Sequence, residues 1–224
     1  MRLEFIALAA ALFAGACSAE ISGGSNNLDG INDGDDDGSI GGSTGNPAPL
    51  CASRTVYLNF EGQTLTQGPS DATMNRAGWM QIAQGTAPAY LAGNATRDAS
   101  IKTIADGVRT QLSQFPITVV TTRPTSGNYV MIVFGGQRGA VGSNYSGAVN
   151  QLDCGDQQPN DVAWISDTVT PIQRVINNAV GAIGFGLGLT ATNDPLDCMC
   201  GWANGCQSNN NVACKLGSPI QRDP

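Results

Sequence analysis

The stretch Val175–Trp202, VINNAVGAIGFGLGLTATNDPLDCMCGW, decides how the rest of the chain is read. Its first half is apolar and rich in glycine. Gly181, Gly184, Gly186 and Gly188 would each cost about 1 kcal/mol against alanine in a helix interior. A helix here must therefore be held by close packing rather than by local preference. Upstream, Asp161-Val-Ala-Trp-Ile-Ser166 has the β-rich pattern of a strand. Asp167 or Thr168 is the expected cap of the helix, with Pro171 near its first turn and the helix running from about 172 to 187.

Further upstream the elements alternate. Thr55–Phe60 reads as a strand closed by Glu61-Gly62. Residues 63–95 read as irregular, with Pro69, Pro88 and several glycines. From Ser100 to Phe115 the apolar residues Ile101, Ile104, Ala105, Val108, Leu112 and Phe115 share one helical face, and Pro116 ends that helix. Ile117–Thr122 is a strand. Tyr129–Phe134, apolar throughout, is a central one, followed by a Gly/Ser/Asn loop to about 147 and a short edge strand at Ala148-Val149. The expected order is β-α-β-β-(β)-β-α with a cysteine-rich tail. The fold class is α/β (α+β), a twisted mixed sheet with two main helices and a disulfide-rich C-terminal loop region.

The N-terminal part has another character. Arg2 precedes a nine-residue apolar run, Phe5–Phe13, too short for the ~20 residues that span a bilayer and suited to a signal peptide. Ala14-Gly15-Ala16-Cys17 resembles a bacterial lipobox, although Ala14 stands where leucine is usual. That resemblance implies a signal peptide at 1–16, lipidation of Cys17 and attachment to the bacterial envelope, on the outer membrane. Residues 17–50 form an acidic Gly/Ser/Asp-rich tether with too little apolar surface to order itself. Within it Asp33, Asp35 and Asp37 copy half of a calcium loop, but Thr44 replaces the twelfth-position glutamate. The reading favoured there is a solvated spacer. Residues 51–224 form the remaining domain.

Charge and cysteines narrow the function. The net charge is −7, and residues 18–50 carry Glu20, Asp29, Asp33, Asp35, Asp36 and Asp37 without a base. The rest is nearly neutral, which argues against a nucleic-acid partner. The chain has no histidine, so no Ser-His-Asp triad and no His-ligated zinc can be built from it. With Cys17 lipidated, six of the seven cysteines remain, Cys51, Cys154, Cys198, Cys200, Cys206 and Cys214. In an exported domain they imply three disulfides of undetermined pairing. Glu61, Asp71, Asp153, Asp156 and Asp161 are scattered carboxylates, from which no catalytic pair stands out.

The element order, the Leu58-Asn59-Phe60-Glu61-Gly62 strand end and Gly186-Leu187-x-x-Thr190 resemble a metzincin zinc protease of the matrixin-like kind. The active-site helix of that family carries H-E-x-G-H-x-x-G-L-x-H-T. The resemblance implies a zincin-like sheet and makes Met199 the Met-turn residue. It places Ala179, Val180, Ile183 and Leu189 at the three histidines and the general-base glutamate. Those side chains have neither lone pair nor titratable proton, so the resemblance implies a pseudoenzyme that has lost zinc and holds no cofactor. A weak structural calcium at Asp153, Asp156 and Asp161 is the one metal it leaves open. The expected function is binding without catalysis of a peptide or protein ligand. A structural or adhesive envelope lipoprotein is the alternative, and a hydrolase with a non-histidine metal site the third reading.

Overall fold

A computed structural model describes residues 53–153, 156–202 and 206–216. The signal peptide, Cys17, the tether, Cys51 and Cys154 lie outside them. A five-stranded sheet runs in the order β5 (Ile117–Val120), β1 (Arg54–Asn59), β6 (Val130–Phe134), β8 (Val162–Ile165), β7 (Ala148–Val149). The first four strands are mutually parallel, and β7 pairs antiparallel to β8 at the edge. The class is thus mixed α/β, of the α+β kind.

Alternation along the central strands builds two cores. Val56, Leu58, Val130, Ile132, Phe134, Ala163 and Ile165 face a layer of two helices, α1 (Arg97–Leu112) and α3 (Ile172–Gly186). The intervening Tyr57, Met131, Val133, Val162 and Trp164 face the other side. There they meet Leu65, Ala77 and Ala87 from a second sheet of β2 (Gln63–Gln67), β3 (Arg76–Ala77) and β4 (Gln84–Ala87). Trp79 Nε1 donates to Val162 O at 2.7 Å, and Trp164 Nε1 donates to Gly135 O at 2.8 Å. Both buried indoles thereby satisfy their only donor.

Three expectations change. Residues 63–95 are not irregular but hold the whole second sheet, with strands of two to five residues. The loop after β6 contains a short helix, α2 (Arg138–Val141). Neither expected cap serves α3, whose N-cap is Pro171 without a side-chain hydrogen bond. Asp167 instead accepts from Gly136 N at 3.1 Å, and the Thr168 hydroxyl lies 2.8 Å from that of Ser166. The strand-end loop takes both polar groups before the helix can use them.

Candidate functional site

Helix α3 is the element to interrogate, and each of its faces meets a different partner. The Ile176 side chain fills the space beside Gly107 on α1. Ala179, Val180, Ala182 and Ile183 are fully buried in the core shared with the sheet. Asn177 Nδ2 donates to Val212 O at 2.9 Å, and its Oδ1 accepts from Cys214 N at 3.2 Å. That face belongs to the C-terminal tail. The tail is held by Cys198–Cys214 and Cys200–Cys206, two disulfides among the described residues.

The helix ends at Gly186, and Gly188, with φ +86°, reverses the chain. Leu189 N then donates back to Gly184 O at 2.9 Å. A Cβ on Gly184 would come within 2.8 Å of Met199 Sδ and 3.2 Å of Leu189 Cδ1. Met199 is itself buried, in a turn fixed by its N–H donating to Asp197 Oδ1 at 2.7 Å. Of the five positions singled out by sequence, Leu189 and Met199 therefore meet against α3. Ala179, Val180 and Ile183 look into the core.

A different row of α3 runs outward, from beneath the Trp202 turn to solvent at Arg174. Arg174, Asn178, Gly181 and Phe185 follow one another at helical spacing. Phe185 stacks on Trp202, with ring centroids 5.1 Å apart and planes at 26°. Trp202 belongs to a short 3-10 turn, Cys200–Trp202, and its Nε1 would overlap any Cβ on Gly181. A cleft of about 260 Å³ opens beside this row. It is lined by Ala148 of the edge strand, Arg174 and Asn178 of α3, and Trp202, Cys206, Gln207, Ser208 and Asn210 of the tail. Reading the sequence missed this group. Its visible signal was the stripe 174-178-185, Arg, Asn and Phe at helical spacing beside the polar pair Gln173 and Asn177.

The carboxylates are mostly committed elsewhere. Glu61 pairs with Arg97 at 2.8 Å, and Asp156 pairs with Arg54. Asp71 accepts from Thr73 N and Oγ1, Met74 N and Arg76. Asp153 Oδ2 accepts from Gln158 N at 2.6 Å. Among the described residues no three His, Cys, Asp or Glu side chains converge as a metal-binding group. Of the Asp153-Asp156-Asp161 set left open for a weak calcium, Asp156 pairs with Arg54 and Asp153 accepts from Gln158 N.

Asp161 stands apart. It is 1% exposed and sits beneath the last turn of α3, against Gly186 and Asn150. Burial pushes its carboxyl up to about 6; Asn150, the Val162 N–H and Ser70 pull it back, and Asp153 adds to the rise. Asn150 Nδ2 donates to Ala182 O at 2.8 Å, so the same loop braces the helix end.

No helix among the described residues is long and apolar enough to cross a membrane. No family model matches the chain, and no curated protein matches it.

Proposed function

We propose that the chain is an exported, lipid-anchored binding protein whose 51–224 domain descends from a metzincin-type protease and no longer cleaves. Its ligand on this reading is a peptide or protein partner held at the old groove, near the outer membrane. Several features support the ancestry. The sheet combines four parallel strands with one short antiparallel edge strand. The last strand feeds a long helix, a glycine with positive φ turns the chain, and a buried methionine comes back against that helix.

The geometry favours moving the motif by two residues. With Gly188 as the turn glycine, H-E-x-G-H-x-x-G-L-x-H-T aligns Gly184, Gly188, Leu189 and Thr192 with its four non-chemical letters. The zinc and base positions then fall on Gly181, Ala182, Phe185 and Ala191 rather than on Ala179, Val180, Ile183 and Leu189. Gly181 and Phe185 lie on the side of α3 covered by Cys198 and Trp202, whereas Ala179 and Ile183 are in the core shared with the sheet. None of the replacing side chains can ligate zinc or accept a proton from its water, so the residues do not fit that metal. The Phe185–Trp202 stack occupies the outward row instead. That stack is the single observation that carries the reading of lost catalysis.

Two experiments test it. Proteolysis of a mixed peptide library with added zinc is expected to show no turnover, and chelator-sensitive cleavage overturns the proposal. Stoichiometric zinc binding is expected for Gly181→His/Ala182→Glu/Phe185→His/Ala191→His once Trp202→Ala and Cys198→Ser/Cys214→Ser free the turn that crowds Gly181. It is not expected for Ala179→His/Val180→Glu/Ile183→His/Leu189→His. If both variants keep native circular dichroism and neither binds zinc, the ancestry falls and an envelope structural role takes its place.

A further inference from the structure

The cleft beside α3 has a chemistry of its own, independent of any protease ancestry. Arg174, Asn178, Gln207, Ser208 and Asn210 line it. None of the five side chains makes a hydrogen bond or ion pair within the described residues. The buried carboxamides of the domain, Asn59, Asn150 and Asn177, are by contrast all paired. Asn177, one residue from Asn178, makes four side-chain hydrogen bonds, to Gln111, Gln173, Val212 and Cys214. Five unspent polar side chains from two separate segments, converging on one cavity, form a set of donors and acceptors awaiting a partner.

The lining defines that partner. Among the described residues Arg174 is the only charged one in it, and a guanidinium fork matches a carboxylate with two parallel hydrogen bonds. Three carboxamides and a hydroxyl surround it, groups that both donate and accept and so suit vicinal hydroxyls. Trp202 adds the one aromatic surface, kept in place by Phe185 beneath it. Among the described residues no aliphatic side chain larger than Ala148 lines the cavity, which offers little to an apolar peptide side chain. The volume, about 260 Å³, lies just under the ~300–1,000 Å³ of drug-sized ligand pockets. That admits one six-membered ring with its substituents and is short for an extended peptide.

We propose that this cleft binds a carboxylated sugar, one hexuronate or similar acidic pyranose unit of a saccharide. Its carboxylate meets Arg174, its hydroxyls meet Asn178, Gln207, Ser208 and Asn210, and its ring C–H face lies on Trp202.

The test titrates the full-length chain with tri-galacturonate, with neutral galactotriose and with a hexaglutamate peptide, by calorimetry at low and at physiological salt. Tri-galacturonate is expected to bind at least tenfold tighter than the neutral trisaccharide. Arg174→Gln, an exposed position whose change leaves the fold intact, is expected to erase that difference. Asn178→Ala/Gln207→Ala is expected to weaken both saccharides at least tenfold, which a purely electrostatic contact would not do. Three results overturn the proposal: no saccharide binds, Arg174→Gln leaves the acidic preference in place, or hexaglutamate binds and the sugars do not. The third would assign the cleft to an acidic peptide.

Discussion

Helices α1 and α3 lie on the same face of one sheet and differ in nearly everything that makes a helix stable. α1 buries four of its sixteen residues, Ile104, Ala105, Val108 and Leu112. It carries Asp98 in its first turn, Arg109 in its last, and the ion pairs Lys102–Asp106 and Arg109–Asp106 on its outer face. Local preference, the helix dipole and neighbouring side chains all favour it. α3 buries ten of fifteen, three of them glycines, with no acid in its first turn and no base in its last. It is a helix because its surroundings require one. Glycines appear where the tail and the Asp161 loop come too close for a side chain, at Gly181, Gly184 and Gly186.

The sharpest way to break this contrast is to release the tail. The Cys198–Cys214 disulfide closes a loop of separation 16, for which chain entropy gives about 3 kcal/mol. Cys198→Ser/Cys214→Ser is expected to lose that much in urea unfolding. Hydrogen exchange should accelerate in α3 well before α1. Equal acceleration in both helices would mean that α3 does not depend on the tail.

Asp161 gives a second lever of similar size, acting at the other end of α3. Its folded-state carboxyl, about 6 against an ordinary 3.8, binds its proton more tightly than the unfolded chain does. Its contribution is fully present below pH 3.8 and is lost as pH rises through 6, a change of about 3 kcal/mol. Asp161→Asn is expected to flatten the stability profile between pH 4 and 6 and to stabilise the protein at pH 7.5. Asp71 and Asp106, both held below the usual carboxylate range by hydrogen bonds from neighbouring side chains, act only at lower pH. An unchanged slope in the variant would show that Asp161 is already ionised where it sits.

Single methyl groups refine the comparison. Gly181→Ala places a Cβ 2.6 Å from Cys198 O, a backbone atom that cannot step aside. A loss of about 2 kcal/mol is expected despite the better helix propensity of alanine. Gly107→Ala on α1 meets side-chain atoms alone, Cδ1, Cγ1 and Cγ2 of Ile176 at 2.5 to 3.1 Å. Rotation there offsets the gain, and the net change should stay within about 1 kcal/mol. Thermal melts of the two variants side by side measure the difference, and equal shifts would erase the distinction between the helices.

How far the sequence revealed all this follows from the same contrast. Both helices were visible, α1 from its apolar stripe and α3 from its apolar run. The expected α1, Ser100–Phe115, nevertheless lies three residues late, because Asn94 Oδ1 already accepts from Thr96 N at 2.8 Å and turns the chain there. The five strands of the main sheet were visible within two residues at either end, since each long one alternates between two cores. β2, β3 and β4 were hidden. They bury one or two small or single apolar residues each, such as Leu65, Ala77 and Ala87, which leaves no period to detect. In the site, Leu189 and Met199 were singled out through the resemblance alone, as the third-ligand and Met-turn positions. The outward row was not, because Arg174 and Asn178 on their own are ordinary helix-surface residues. Only the folded tail, bringing Gln207, Ser208 and Asn210 beside them, turns them into a cleft.

That tail gives the cleft a redox history. Cys206 stands in the lining, joined to Cys200 two residues before Trp202, and Cys214 closes the segment that supplies the three tail-borne polar side chains. One wall of the cavity, and with it the turn that packs on α3, is stitched in place by thiol chemistry. In a glutathione-rich compartment the chain would carry an unfastened wall and a less firmly held α3. On the role proposed for the cleft, oxidation of these thiols becomes a condition of recognition, and a chain kept reduced would bind more weakly than one whose tail is closed.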